Sequence, residues 1–238
     1  MVAIKHGDID QVVSLISLRG ADIHNRDNNG QTALYWACRY GDIAIATLLI
    51  DREADVNSRD NDDQTALYWA CRFGDIAIFS LLIDRGADIH DRDNNGQTAL
   101  HWACHIGQKD IATLLIDRGA DVNSRDNDGQ TALHRACHNG KKAIAILLIK
   151  KKVDIHFRNN RGKTPLDLMP EWRAELTELY DQVNRAWLAR KAFLFVLIGG
   201  GHVDGSGGGP AGERRRDTHQ QLRDDVLRNL LVSIISFL

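Results

Sequence analysis

A strict 33-residue period governs this chain. Thr32, Thr65, Thr98, Thr131 and Thr164 stand 33 residues apart, and Cys38, Cys71, Cys104 and Cys137 keep the same spacing. Around the threonines the text returns almost unchanged. It reads Asp-Asn-Asn-Gly-Gln-Thr-Ala-Leu-Tyr-Trp-Ala-Cys from Asp27 and Asp-Asn-Asp-Gly-Gln-Thr-Ala-Leu-His-Arg-Ala-Cys from Asp126, with a weaker copy from Asn159. A period of this length is one supersecondary unit. Such a unit cannot bury its own apolar face, so neighbouring copies must stack.

Each unit has a physical reading. Asp-Asn-Asn-Gly is turn chemistry, side-chain acceptors followed by a glycine. Thr32 is placed to cap a helix whose apolar face starts with Ala33, Leu34 and Ala37. Gly41 ends that helix, and Asp42 opens a second with Ile43, Ala46, Leu48, Leu49 and Ile50 on a broad apolar side. The cysteines are repeat positions, not a disulfide framework.

The recurring Thr-x-Leu-(Tyr/His)-x-Ala-Cys, the Leu-Leu helix and the closing Gly86-Ala87-Asp88-Ile89-His90 and Gly119-Ala120-Asp121-Val122-Asn123 resemble the ankyrin-repeat family over roughly residues 1–170. The resemblance implies an all-α solenoid of helix-turn-helix units joined by β-turn or hairpin loops, with C-terminal helices added. This sequence departs from the family pattern in places. Ala33, Ala66, Ala99 and Ala132 replace its proline, Glu53 its closing glycine and Asp63 its turn glycine. If Glu53 and Asp63 keep positive φ, each costs on the order of 1 kcal/mol, which makes the second full repeat the least rigid. The closing motif also alternates between Ile-His and Val-Asn, a partial 66-residue period that points to duplication of a two-repeat block.

The expected organisation is a partial repeat over 1–25 and four full repeats plus a divergent fifth over 26–170. Capping helices follow over 171–198, a glycine-rich linker over 199–212 and an amphipathic helix over 213–238. That last helix has three readings: docking back on the array, binding a partner or lying on a membrane surface. The incomplete first unit reads either as a late start in a longer array or as an edge that a partner covers; the chain is expected to be monomeric unless that edge pairs.

Little in the sequence suggests catalysis. His101-x-x-Cys104-His105 and His134-x-x-Cys137-His138 have metal-ligand residue types, but the resemblance assigns the first histidine and the cysteine to structural positions, and each histidine is placed to bond Thr98 or Thr131. Gly162-Lys163-Thr164 lacks the first glycine of a phosphate loop, because Phe157 stands there. No serine sits in a nucleophile elbow. The expectation is a non-enzyme with no cofactor and no metal. The longest apolar run, 192–198, is too short to span a bilayer, no apolar signal core is seen, and the four thiols fit a reducing cytoplasmic or nuclear setting. Residues 1–140 carry 13 Lys/Arg against 21 Asp/Glu and residues 141–238 carry 17 against 11. This asymmetry reads as a solvated surface, not a nucleic-acid site.

The resemblance implies a scaffold that binds a protein partner on a concave face built from turn tips and first helices. The candidate stripe is Arg39, Tyr40, Arg72, Phe73, His105 and Ile106, with Trp36, Trp69 and Trp102 as its floor. Leu49 followed by Asn57, and Leu115 followed by Asn123, resemble the ankyrin site used by asparaginyl hydroxylases. A second reading is a substrate-recruiting adaptor, because Asp224-Asp225-Val226-Leu227-Arg228 weakly resembles the first helix of an F-box.

Overall fold

A computed structural model of the chain describes residues 7–19 and 22–198. The stretches 199–212 and 213–238, and the F-box resemblance with them, lie outside the described residues. The chain divides into two units, Met1–Thr177 and Glu178–Leu238. The first opens with α1 (Ile9–Arg19) and continues through four helix pairs. These are α2 (Ala33–Tyr40) with α3 (Ile43–Asp51), and α4 (Ala66–Phe73) with α5 (Ile76–Asp84). They continue with α6 (Ala99–Ile106) and α7 (Lys109–Asp117), then α8 (Ala132–His138) and α9 (Lys142–Lys150). Two single tight turns, Pro165–Leu168 and Pro170–Trp172, replace the first helix of the divergent fifth unit, and α10 (Arg173–Ile198) follows. One helix thus stands where the sequence allowed one or two. Its first turn joins the last full repeat through Lys142, whose ammonium lies 2.7 Å from the Glu175 carboxylate and 5.5 Å from the Trp172 ring. Among the described residues there is no strand beyond one isolated bridge, Arg125 to Thr131.

The helix ends form where the side chains predict. Thr32 Oγ1 accepts from the Tyr35 amide and Thr131 Oγ1 from the His134 amide, each at 3.4 Å. Asp42 and Asp75 cap the second helices by accepting from Ile45 and Ile78, each at 2.9 Å. Gly41, at φ 74°, lets the chain reverse between α2 and α3, a conformation that only glycine adopts freely.

Each first helix packs on its own second helix and on the first helix of the next repeat. Small residues set that approach. Ala37, Ala70, Ala103 and Ala136, and the four cysteines beside them, are wholly buried. Leu34, Ile45, Leu49, Phe79, Leu100, Leu115 and Leu133 fill the layers between. A larger side chain at an alanine or cysteine of this row would overpack it.

The turns are tied across repeats. The side-chain amides of Asn61, Asn127 and Asn160 donate to the carbonyls of Asn28, Asn94 and Asn127 at 3.0–3.1 Å. Their backbone amides donate to Asn29, Asn95 and Asp128 at 2.9–3.0 Å. Arg26, Arg92 and Arg125 reach the carbonyls of Arg59, Arg125 and Arg158. The junction between the second and third repeats is looser. There Asn94 reaches Asn61 at 3.3 Å and Asp62 at 3.2 Å, and Arg59 reaches the Arg92 carbonyl at only 3.4 Å.

Asp63 accounts for this. At Gly30, the matching position, a Cβ would lie 2.5 Å from Asn61 Oδ1 and 3.0 Å from its backbone nitrogen. Asp63 has that Cβ, so the next asparagine stands off. Glu53 and Asp63 do hold positive φ, at 69° and 58°, and Lys152 joins them at 65°. Lys152 also takes the place of a closing glycine, a substitution that sequence reading passed over.

Glu53→Gly and Asp63→Gly are each expected to stabilise the array by about 0.5–1 kcal/mol in denaturant titration, and two destabilised variants would refute the argument. Asp63→Gly should also slow hydrogen exchange at the Asn94 amide, which in the parent chain exchanges before those of Asn61 and Asn127. Burial pushes the Cys38, Cys71 and Cys137 thiols up to about 12 and raises Cys104 further. All four are therefore expected to label slowly in the native state and promptly after unfolding; fast native labelling would show a core that opens.

Candidate docking stripe

The candidate stripe begins with a turn carboxylate, half-buried at Asp27 and buried at Asp60, Asp93 and Asp126. Asp27 Oδ1 accepts from the Asn29 and Gln31 amides at 2.9 Å each, while Oδ2 accepts from Trp36 Nε1 at 3.2 Å. Asp93 does the same for Asn95, Gln97 and, at 3.1 Å, Trp102. In the fourth repeat Arg135 replaces the tryptophan and donates to Asp126 Oδ2 at 2.6 Å. One carboxylate therefore fixes both the turn and the ring or guanidinium on the first helix. The second repeat breaks the rule. Asp60 binds its two turn amides, but Trp69 Nε1 is buried and unpartnered.

The indoles are joined by two tyrosines that sequence reading left out. The Tyr35 ring packs edge-on between Trp36 and Trp69, at 5.3 and 4.9 Å. The Tyr68 ring sits likewise between Trp69 and Trp102, at 5.1 and 4.9 Å. The repeated Tyr-Trp pair at 35–36 and 68–69 was the available signal. The result is a continuous aromatic row across three repeats, with geometry that adds to simple area burial. Burial raises both hydroxyls above their ordinary pKa, Tyr68 to about 12, against the opposing pull of Arg39 and Arg72.

On this floor stand the other candidate residues. Tyr40 stacks on Trp36 at 5.7 Å and Phe73 on Trp69 at 5.9 Å, and the two are 41% and 49% exposed. The cations lie over the aromatic rings. The Arg39 guanidinium is 5.2 Å from the Trp36 ring, 5.7 Å from Trp69 and 6.0 Å from Phe73, and Arg72 is 5.0 Å from Trp69. Across each glycine elbow, Ile43 and Ile76 add exposed apolar surface at 45% and 46%. Sequence reading had assigned Ile43 to the core. The third repeat differs. His105 packs edge-on against Trp102 and contacts the Asn139 amide nitrogen at 3.0 Å through Nδ1, and Ile106 is half-buried. The exposed apolar stripe thus belongs mainly to the first two repeats.

Asn57 and Asn123 are engaged elsewhere. Asn57 Oδ1 accepts from the Asp88 amide at 2.9 Å and its Nδ2 donates to Gly86, and Asn123 Oδ1 accepts from the Asp154 amide at 2.9 Å. Asn57 is exposed and Asn123 half-buried, so what an enzyme acting on either side chain would have to displace is these hydrogen bonds.

His101 and His134 are structural bridges. The Thr98 amide donates to His101 Nδ1 at 3.2 Å, which places the ring proton on Nε2, 3.1 Å from the Gln130 carbonyl of the next repeat. His134 links Thr131 to the Lys163 carbonyl in the same way. Both ring nitrogens are occupied, and no group of three or more metal-ligating residues forms among the described residues.

Three ankyrin-repeat family models match the chain: Ankyrin repeats (3 copies) over residues 1–93, Ankyrin repeat over 95–127 and Ankyrin repeats (many copies) over 115–169. The chain belongs to the ankyrin-repeat family. No curated protein matches it closely enough to count as a relative.

The two buried histidines give the array a pH dependence. Burial holds both below their ordinary value of 6.5, so the unfolded chain takes up protons that the folded chain refuses. Their contribution is complete above about 6.5 and is lost as pH falls from there through the depressed folded values. Protonating Nδ1 also turns an acceptor into a donor facing the threonine amide. The denaturation midpoint is expected to fall between pH 7 and about 5, and His101→Tyr with His134→Tyr, the residue of the first two repeats, should flatten that slope. An unchanged slope in the double variant would assign it to other groups.

Proposed function

We propose that this chain is a non-catalytic docking module that binds a protein partner on the face formed by its first helices, at Arg39, Tyr40, Arg72 and Phe73, with Trp36, Trp69 and Trp102 beneath and His105 and Ile106 at one end. Ankyrin repeats are in general protein-interaction modules, and no helix among the described residues is long and apolar enough to cross a membrane. The observation that carries this reading is the exposure of Tyr40 and Phe73. Each is stacked on an indole yet left half open to solvent, while the other large apolar residues described on the first helices are buried or half-buried. An aromatic surface held in one conformation loses little entropy on binding, and aromatic and arginine side chains dominate binding hot spots.

Asn57 and Asn123 stay in this proposal only as candidate hydroxylation sites. The test of the docking reading is the double variant Tyr40→Ala, Phe73→Ala. It is expected to keep its helical circular dichroism and to lose most affinity for a captured partner, with each truncation costing about 2 kcal/mol. Undiminished capture by the folded variant would move the site off this stripe.

A further inference from the structure

The fold gives nearly every guanidinium it positions in the repeats a turn carbonyl or a carboxylate as partner. Arg26, Arg59, Arg92 and Arg125 sit on turn carbonyls, and Arg85, Arg118 and Arg135 pair with Asp51, Asp84 and Asp126. Arg39 and Arg72 differ. Among the described residues neither forms an ion pair, and each spends one N–H on a tyrosine hydroxyl, Tyr35 at 3.3 Å and Tyr68 at 3.5 Å. A guanidinium has five N–H donors in one plane. Stacking on an indole covers the face of that plane and leaves its edge free to donate. Both cations lie against the same ring, Trp69, and both are exposed.

The carboxylates nearest in sequence are committed elsewhere. Asp42 and Asp75 cap α3 and α5, and Asp27 and Asp60 hold their turns. Asp60 and Asp27 act on the Tyr35 hydroxyl and Asp93 on that of Tyr68, each against the stronger pull of the adjoining Arg39 or Arg72. The His105 ring, one repeat further on, is held below its ordinary pKa first by burial and then by Arg135, His138, Lys141 and Arg72, all cationic or basic groups.

Resting on the docking reading above, we infer that the stripe takes an acidic protein segment, with Asp or Glu side chains on the free edges of Arg39 and Arg72 and a neighbouring apolar residue on Tyr40 and Phe73. The planar fork matches a carboxylate and pairs with it in two parallel bonds. Each guanidinium lies 5.0–5.2 Å from an indole centroid, so the pair forms beside an apolar ring, where water screens it less. A basic segment would meet two cations with no counter-charge, which supplies discrimination as well as attraction.

The test is selection of a random dodecapeptide library on the full chain, followed by calorimetry with the consensus peptide and its Glu-to-Gln, Asp-to-Asn counterpart. Selected peptides are expected to carry Asp or Glu beside a large apolar residue. The acidic peptide should bind about tenfold tighter than its amide counterpart, the effect of two partly exposed charge pairs, and added salt should narrow the gap. Arg39→Gln with Arg72→Gln should abolish the preference, while Arg39→Lys with Arg72→Lys should keep part of it. The comparison of the two peptides on the parent chain needs no variant, so a folding defect in the glutamine variant leaves the test standing. Equal affinity for the two peptides, or a preference that survives in the glutamine variant, would overturn the inference. Binding lost in Tyr40→Ala, Phe73→Ala but unaffected by the arginine changes would leave the docking reading intact and remove only the acidic partner. Binding unaffected by either pair would remove both.

Discussion

The turn aspartate is the interaction on which the rest of the repeat depends. A loop of Asp-Asn-Asn-Gly has no intrinsic reason to hold one shape. The Oδ1 of Asp27, Asp93 or Asp126 gathers two backbone amides and fixes it, and the Oδ2 reaches the first helix through an indole or a guanidinium. Once the turn is set, its asparagine can reach the neighbouring carbonyl and its arginine the next turn. Stacking is thus prepared by hydrogen bonds within each unit and completed by the buried alanine, cysteine and leucine layers. The salt bridges along the second helices, such as Arg85–Asp51, are exposed and contribute little beyond this.

The same aspartate orients the surface. By anchoring Trp36 and Trp102 from below it turns their rings into a platform, and Tyr35 and Tyr68 lock those rings to Trp69. Residues at the helix ends then stack on a rigid base. The candidate stripe is the upper side of a core whose lower side is the repeat's own folding machinery. A substitution of the tryptophans would therefore confound binding with stability, whereas Tyr40, Phe73, Arg39 and Arg72 lie above that division.

Much of this was legible in the sequence because each repeat states it again. Caps at Thr32 and Asp42, the reversal at Gly41, the buried thiols and the positive φ of Glu53 and Asp63 all follow from residue type and position. Relations between copies were harder to read. The recurring turn residues are a case in point: Arg26 reaches the next turn, and Asn61, Asn94 and Asn127 each reach the turn before. Tyr35 and Tyr68 stand where the third and fourth repeats have histidine, and they link the indoles. Linear spacing reveals which residues share a face; it does not reveal which donor in one copy meets which acceptor in the next.

One such relation bears on how this array can change length. The Asn57 and Asn123 bridges tie the first repeat to the second and the third to the fourth, while His90 holds the equivalent place between the second and third, beside the turn that Asp63 holds apart. The interfaces therefore come in two unlike kinds that alternate. Excising or inserting one 33-residue copy would change that alternation, although the asparagine's partners, an aspartate amide and a glycine carbonyl, are backbone groups that recur in the closing loops. Excising 66 residues would restore the original order at the scar. An exchange by pairs of repeats therefore preserves the order of the junctions, and an exchange by single repeats does not.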